Sequence, residues 1–180
     1  GRGGEHRGVI ESKNKRSATV RILEYFPIER ESALRITLVQ GVSRGDRMDF
    51  SIQKAAELGA FRIVPLHVQR TGVRLTSDRA ARRLAHWQGI IRHACEQSGR
   101  NRIPELTKIT SLDEFIASHD ADVGLVMSPR GAGNLAQMSL PGRSIALVIG
   151  PEGGFEDAEL DGLRHAGLLE IRLGPRILRT

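Results

Sequence analysis

The sequence is poor in three kinds of feature, and each shortage excludes a class of protein. It has one cysteine, Cys95, which excludes an internal disulfide framework and any CxxC zinc or redox motif. Aromatic residues make up 4 %, too few for the series of stacking platforms that single-strand nucleic-acid binders use. No apolar run approaches the roughly 20 residues that cross a bilayer. We therefore expect an aliphatic core, a reducing cytoplasmic compartment and no membrane partner.

Common catalytic motifs are missing as well. The six His residues are scattered, without HExxH or another paired spacing, so we predict no metal site. The GxSxG elbow, the Walker A motif and the GxGxxG fingerprint are all absent. Cys95 falls on the apolar stripe of a predicted helix, which favours a buried structural thiol over a nucleophile.

The charge is unevenly distributed along the chain. The net charge is +6, and residues 67–102 alone hold eight Arg and two acidic residues. Arg is well suited to bidentate phosphate contacts, so this segment indicates a polyanionic partner, most plausibly nucleic acid. The alternative is an ordinary solvated helix face. The predicted RNA-binding residues are Arg82, Arg83, Arg92 and Arg102.

The 180 residues, 39 % of them apolar, suffice for one domain or for one domain and part of another. Residues 1–31 predict one hairpin, with strands near 8–11 and 18–23, which is too small to bury a core alone. Pro27 and the polar run 29–32 predict a linker. The chain begins with Gly and ends directly after a strand-like run, so we expect further parts of the protein at both ends.

From Leu34 onward, strand and helix patterns alternate, which predicts an α/β fold with a parallel sheet. The predicted strands are 34–39, 62–66, 123–127, 145–149 and 169–173. The predicted helices are 47–59, 78–97 with Asp78 as N-cap, a short helix capped by Ser111 with Glu114, and 156–166. Strand 145–149 is apolar throughout, so we expect it to be buried on both faces.

Three loops rich in Gly and Pro follow predicted strands, at 127–133, 149–155 and 173–180. If the strands are parallel neighbours, these loops meet at one edge of the sheet and form a ligand cleft. Acidic residues open the helix after the second loop and would repel a phosphate, which favours a neutral or cationic cofactor. The alternative for any single loop is a plain turn between a strand and a helix.

A dense polar run, 94–104, ends the Arg-rich helix. In it, Glu96 is a candidate acid, base or orienting group, and Arg100 and Arg102 are candidates for holding a phosphate or a base edge. The alternative is a helix that ends at Gly99 with solvated neighbours.

Segments 96–104 (EQSGRNRIP), 149–155 (IGPEGGF), 173–180 (LGPRILRT) and 48–59 (MDFSIQKAAELG) together resemble the bacterial 16S ribosomal RNA uridine-N3 methyltransferase family of the SPOUT superfamily. The resemblance implies S-adenosylmethionine as cofactor, a trefoil knot and a homodimer that acts on 16S ribosomal RNA or the assembled small subunit. It also implies that 1–31 are part of a PUA-like RNA-binding barrel and that 32–180 form the methyltransferase domain, with the last knot helix beyond Thr180.

The resemblance further implies roles for individual residues. Arg100 or Arg130 would stabilise negative charge on the uracil oxygens, and Glu96 would act as base or orienting group. The acids near the second loop would suit the sulfonium of the cofactor. The implied cofactor-binding residues are Leu125, Met127, Ile149, Gly150, Glu152, Gly153, Leu173, Gly174, Ile177 and Leu178.

Two other functions stay open at this point. One is another SPOUT methyltransferase, which would act on transfer RNA or on ribose. The other is a non-catalytic RNA-binding module that keeps the fold without the chemistry.

Overall fold

A computed structural model describes residues 3–72, 76–138, 142–174 and 176. Within these residues, no helix combines the length and the apolar character that a membrane span requires. The strands are β1 (Glu5–Lys13), β2 (Ala18–Phe26), β3 (Arg35–Gly41), β4 (Arg62–His67), β5 (Glu105–Leu106), β6 (Thr110–Ser111), β7 (Val123–Met127), β8 (Gly133–Asn134), β9 (Ser144–Ile149) and β10 (Leu169–Arg172). The helices are α1 (Asp46–Glu57), α2 (Ser77–Ser98), α3 (Leu112–Ser118) and α4 (Asp157–His165), with a 3-10 turn at Leu135–Gln137.

Strands β1 and β2 form the predicted hairpin, and both strands are longer than their apolar patterns indicated. Nearly all of their side chains are exposed, so the hairpin packs no core of its own. Its exposed apolar residues are Val9, Ile10, Val20, Ile22, Leu23 and Tyr25.

The remaining strands form one sheet in which every pairing is parallel. The order is β5-β4-β3-β9-β7-β10-β8, and β6 pairs with β4. The predicted α/β fold is thus confirmed, and the five predicted strands and three longer helices lie within two residues of their predicted bounds. The short strands β5, β6 and β8 were not predicted, because two residues carry no periodicity.

Helices cover both faces of the sheet. On one face, α3 and α4 pack on a core that includes Val64, Val126 and Val148. On the other face, α1 and α2 pack on Ile63, where Trp87 and Ile91 of α2 are fully buried. Cys95 is also buried among these residues, and burial raises the pKa of its thiol, as a structural role requires.

Two of the predicted details are wrong. Helix α2 begins at Ser77 with Thr76 at the N-cap, and Asp78 lies inside the first turn, where its charge still complements the helix dipole. Strand β9 is buried on the face of Ala146 and Val148, but Ile145 and Leu147 are only half-buried. On the opposite face, which carries Ile145 and Leu147, α1 and α2 cover β3 and β4 but do not extend over β9.

The strand ends are level across the middle of the sheet. Gln40 in β3 pairs with Ile149 in β9, Ile149 with Met127 in β7, and Met127 with Ile171 in β10. The segments that follow β3, β9, β7 and β10 therefore leave the sheet side by side at its carboxyl edge. The strands that precede the three loops are thus parallel neighbours, as predicted, and of the third loop, 173–180, the structure describes residues 173, 174 and 176.

Candidate functional site

The central loop of the carboxyl edge, Gly150–Glu156, follows β9 and is seated on the end of β3. The Gly154 N–H donates to the Pro151 carbonyl over 2.8 Å, and Gly154 adopts a positive φ of 69°, which glycine adopts without strain. A Cβ on Gly41 would lie 2.4 Å from the Pro151 nitrogen, so only glycine lets this loop approach. The buried Gln40 amide donates to the Gly150 carbonyl over 3.4 Å. The first residues of the loop are therefore held against the end of β3.

Three acidic side chains, in the loop and at the start of α4, are each paired with an arginine from a different neighbouring segment. Arg47, in α1, lies 2.9 Å from Glu152. The other two pairs are Arg70–Glu156 at 3.8 Å, with the arginine after β4, and Arg130–Asp157 at 2.9 Å, with the arginine after β7. These arginines therefore balance the charge of the three acids, and the suitability of the acids for a sulfonium stays a prediction.

Glu152 is the most enclosed of the three acids. Burial alone would raise its pKa, but hydrogen bonds from the backbone N–H groups of Glu152 and Arg44 and from the Arg47 guanidinium outweigh this effect. The pKa of Glu152 consequently lies below its usual range. Glu152 thus ties the loop to the β3–α1 connection as a carboxylate.

The loop after β7 is held against β10. The Ser128 N–H donates to the Ile171 carbonyl over 2.9 Å, and the Gly131 N–H donates to the Ser128 carbonyl over 3.1 Å. A Cβ on Gly131 would lie 2.4 Å from the Ile171 carbonyl carbon, so this close approach also requires glycine. Arg130, between them, has a side chain that is 72 % exposed. This loop therefore presents a cation at the edge.

The predicted cofactor-binding residues fall into three groups. The first group lies at the carboxyl edge. It consists of strand ends and central-loop residues, Met127, Ile149, Gly150, Glu152 and Gly153, and of Leu173 and Gly174, which follow β10. Leu125 lies two residues inside β7, where its side chain is buried against β10. Ile177 and Leu178 lie outside the described residues.

The polar run at the end of α2 lies elsewhere. Arg100 donates to the carbonyls of Ala56 and Ala60 and pairs with Glu31, and its side chain is 7 % exposed. Because Ala60 precedes β4, Arg100 is at the amino edge, roughly 20 Å from the carboxyl edge at about 3.3 Å per residue. The structure therefore does not bring Arg100 together with Arg130 within one chain. Glu96 is exposed on the last turn of α2, near the same edge.

The four predicted RNA-binding arginines also separate. Arg82 and Arg92 are exposed on α2 and Arg83 is half-buried, and none of the three forms an ion pair with a residue that the structure describes. Arg102 is paired with Glu29 at 2.7 Å, and this contact lowers the pKa of the Glu29 carboxyl. Arg102 is thus engaged with the linker, while the α2 arginines face solvent.

Two open hollows lie away from the carboxyl edge. One, of about 550 Å³, is bordered by α3 and the start of β4, including Arg62 and His119. The other, of about 540 Å³, separates the linker from Phe61 and Arg100.

Arg47 and Arg70 were missed by sequence reasoning. Their position in the segments that follow β3 and β4 was the available signal, since ligands bind at the carboxyl ends of the strands in such folds.

A parallel α/β sheet with glycine loops gathered at its carboxyl edge defines a class of domains that bind nucleotides and related cofactors. Comparison with known proteins narrows this class. Residues 30–180 match a family described as RNA methyltransferase domain. The chain belongs to this family of RNA methyltransferases.

Individual relatives agree with this assignment. The ribosomal RNA small subunit methyltransferase E of Bacillus subtilis is 32 % identical over 99 % of this chain and 73 % of its own length. The protein of that name from Buchnera aphidicola is 34 % identical over 83 % of this chain and 61 % of its own length. A crystal structure of the Neisseria gonorrhoeae protein of the same name, bound to S-adenosylmethionine, has a TM-score of 0.95 and 41 % identity, covering 100 % of this chain and 75 % of that one. The resemblance found in the sequence is thereby confirmed.

Proposed function

We propose that the protein transfers the methyl group of S-adenosylmethionine to N3 of a uridine in 16S ribosomal RNA of the small subunit. One observation carries the proposal: Met127, Ile149 and Ile171 stand in one row, so that three glycine-containing loops leave adjacent strand ends together. The chain belongs to a family of RNA methyltransferases, and a relative with the same fold is bound to S-adenosylmethionine.

The residues at this edge suit a nucleoside-like ligand. Glycine backbone at Gly150, Gly153 and Gly174 offers hydrogen-bonding groups without side chains, and Met127 and Ile149 add half-buried apolar surface. When bound, S-adenosylmethionine supplies an electrophilic methyl group. The work of the protein is to hold that group in line with the uracil nitrogen.

Loss of the uracil N3 proton leaves negative charge on the uracil oxygens, and a cation at the edge would stabilise it. Arg130 is the residue that we assign to this role. Its ion pair with Asp157 is exposed on both sides and is worth only about 0–1 kcal/mol, so the guanidinium is free to change partners. Arg100 and Glu96 lie near the amino edge and do not reach this position within one chain.

The RNA contact is assigned to the outer surface of α2. Arg82, Arg83 and Arg92 form no ion pair within the described part of the chain, so they are available to phosphates. Arg102 is left out of this surface because it lies beyond the end of α2, beside Glu29 of the linker. The trefoil knot, the PUA-like nature of 1–31, the homodimer and the cytoplasmic location belong to the same proposal and are supported by the resemblance.

The test uses the intact protein. Calorimetry with S-adenosylmethionine should show binding by the wild type and none by Gly153→Trp, because a side chain at this position meets Arg70 and has to displace the loop. Gly89→Ala, in the middle of α2, is the matched control. Mass spectrometry of 16S ribosomal RNA, supplied free or in small subunits, should then show one added methyl group at a uridine N3. Absence of cofactor binding by the wild type would refute the proposal.

The methylated position separates the remaining functions. A methyl group on ribose or on transfer RNA would indicate another SPOUT activity. RNA binding that weakens with salt but brings no methyl transfer would indicate a non-catalytic module.

A further inference from the structure

Arg70 contacts the central loop at two points. It follows β4 and reaches the central loop, where its Nη1 donates to the Gly153 carbonyl over 3.0 Å. Its Nε lies 3.8 Å from Glu156 Oε1 at the far end of the same loop. A Cβ on Gly153 would lie 3.0 Å from the Arg70 Cβ, so the glycine lies directly against the arginine stem. One side chain therefore spans the loop from Gly153 to Glu156.

The segment that carries Arg70 is itself firmly held. The Thr71 N–H donates to the Val68 carbonyl, and the Val68 N–H donates to the Thr71 hydroxyl, each over 2.9 Å. The Gln69 N–H donates to Glu159 in α4 over 2.8 Å. On the other side, Arg44 donates to the Gly72 carbonyl over 3.2 Å. Arg70 thus projects from a turn that is fixed to both neighbouring elements.

We propose that Arg70 is a positioning residue that holds the Gly150–Glu156 loop in the shape that binds the methyl donor. Glycine-containing loops lose much backbone freedom when they are ordered, and Gly153 has no side chain through which packing could fix it. A planar guanidinium serves a carbonyl and a carboxylate at once, whereas the ammonium of lysine is a single point charge. This inference rests on the proposed function, since it concerns the same cofactor site.

A competing role exists for Arg70, because its side chain is 51 % exposed and carries a charge that suits a phosphate. The contacts favour positioning. Arg70 bonds to the loop carbonyl itself, whereas the arginines that we assign to RNA lie on α2 without ion pairs among the described residues. A contact between Arg70 and an RNA phosphate, without an effect on cofactor binding, would count against the proposal.

The test compares Arg70→Met, Arg70→Lys and Glu156→Gln in the intact protein. We expect Arg70→Met to raise the calorimetric Kd and the KM for S-adenosylmethionine at least tenfold, with kcat at saturating cofactor within twofold of the wild type. Arg70→Lys should recover part of the loss, and Glu156→Gln should give a smaller loss. Arg79→Met, the same change on exposed α2, should leave the cofactor Kd unchanged.

The outcomes are distinguishable. An unchanged cofactor Kd in Arg70→Met overturns the inference, and so does an unchanged Kd with a lower salt slope of RNA binding, which would identify a phosphate contact. If Arg70→Met does not fold, the cofactor Kd values of Arg70→Lys and Glu156→Gln test the inference instead. A wild-type Kd in both variants overturns the inference. Failure of the wild type to bind S-adenosylmethionine would refute the proposed function instead.

Discussion

Arg100 and Glu31 form a two-pronged ion pair between the end of α2 and the linker, although 69 positions separate them in the sequence. Their side chains are 7 % and 17 % exposed. The same guanidinium donates to the carbonyls of Ala56, in the last turn of α1, and of Ala60, just beyond it. The linker is therefore a docked element, and Arg100 joins it to the helical layer.

Breaking this pair should destabilise the protein strongly. Arg100→Met leaves a largely buried carboxylate without its partner, and Glu31→Gln leaves a buried guanidinium. Each is expected to lower the free energy of unfolding by about 3–5 kcal/mol, the range for removal of one partner of a buried pair. Urea denaturation of the two variants and the wild type measures this loss.

The neighbouring pair Glu29–Arg102 provides the control. Its side chains are 48 % and 51 % exposed, so Glu29→Gln should change the free energy of unfolding far less than Glu31→Gln does. Equal losses for Glu29→Gln and Glu31→Gln would contradict the distinction drawn here between the two pairs.

Two glycines in regular elements should respond in opposite directions to replacement by alanine. At Gly41 the new Cβ would lie 2.4 Å from the nitrogen and 2.5 Å from the Cδ of Pro151, so the central loop has to move. We expect Gly41→Ala to lower stability by about 1–3 kcal/mol, as overpacking does, and to weaken binding of S-adenosylmethionine. Thermal melts and calorimetry report the two effects.

At Gly89 the added methyl group meets no atom within 4 Å, and the residue lies inside α2 without a positive φ. Gly89→Ala should therefore stabilise the protein by roughly 0.5–1 kcal/mol through helix propensity. A neutral Gly41→Ala would contradict the close approach of β3 to Pro151, and a destabilised Gly89→Ala would contradict the open space at that position of α2.

The sequence was a good guide wherever a short local pattern decides the structure. The apolar run Val123–Met127 is a strand with the predicted bounds, and the Ser111–Glu114 capping box begins α3 as predicted. Gly99 ends α2 with a φ of 70°, because a left-handed residue there is favourable for glycine. These features depend on neighbours within a few residues.

Partners that only the topology brings together could not be predicted. The role of Arg100 depends on Glu31, and the charge state of the central loop depends on Arg47, Arg70 and Arg130, which follow three different strands. The linear sequence shows the acids next to one another and gives no indication of their arginines. For this reason the arginine partners of the acids were missed, while the parallel neighbouring strands that precede the loops were predicted.

Asp122 should make stability depend on pH in the acid range. Its carboxylate accepts hydrogen bonds from the Arg143 N–H over 2.8 Å and from the hydroxyl and N–H of Ser144 over 2.9 Å, which joins the start of β9 to β7. These bonds, that from the Arg143 N–H foremost, lower the pKa of Asp122. Its contribution is thus complete above the unfolded pKa of about 3.9 and is lost as the pH falls through the folded pKa.

Melting curves of the wild type and Asp122→Asn test this sign. The wild type should melt higher near neutral pH, and the difference should shrink as the pH drops below about 4. Glu24→Gln, which changes an exposed carboxylate in a loose 3.5 Å ion pair of the hairpin, is the control for the loss of one negative charge. A gap between wild type and Asp122→Asn that stays constant down to the acid limit would contradict the assignment.

The arginines on α2 should set the salt dependence of RNA binding. Each phosphate contact that is lost should lower the slope of log K against log salt by about 0.7–0.9, so Arg82→Gln and Arg92→Gln should each reduce it by nearly that amount and their combination by the sum. Binding of a 16S ribosomal RNA fragment by the intact protein at several salt concentrations provides the slopes. Arg102→Gln removes the same charge from a side chain that Glu29 already holds, so its slope should match the wild type. A reduction in Arg102→Gln equal to that in Arg82→Gln would mean that the linker region, and not the outer face of α2 alone, contacts the RNA.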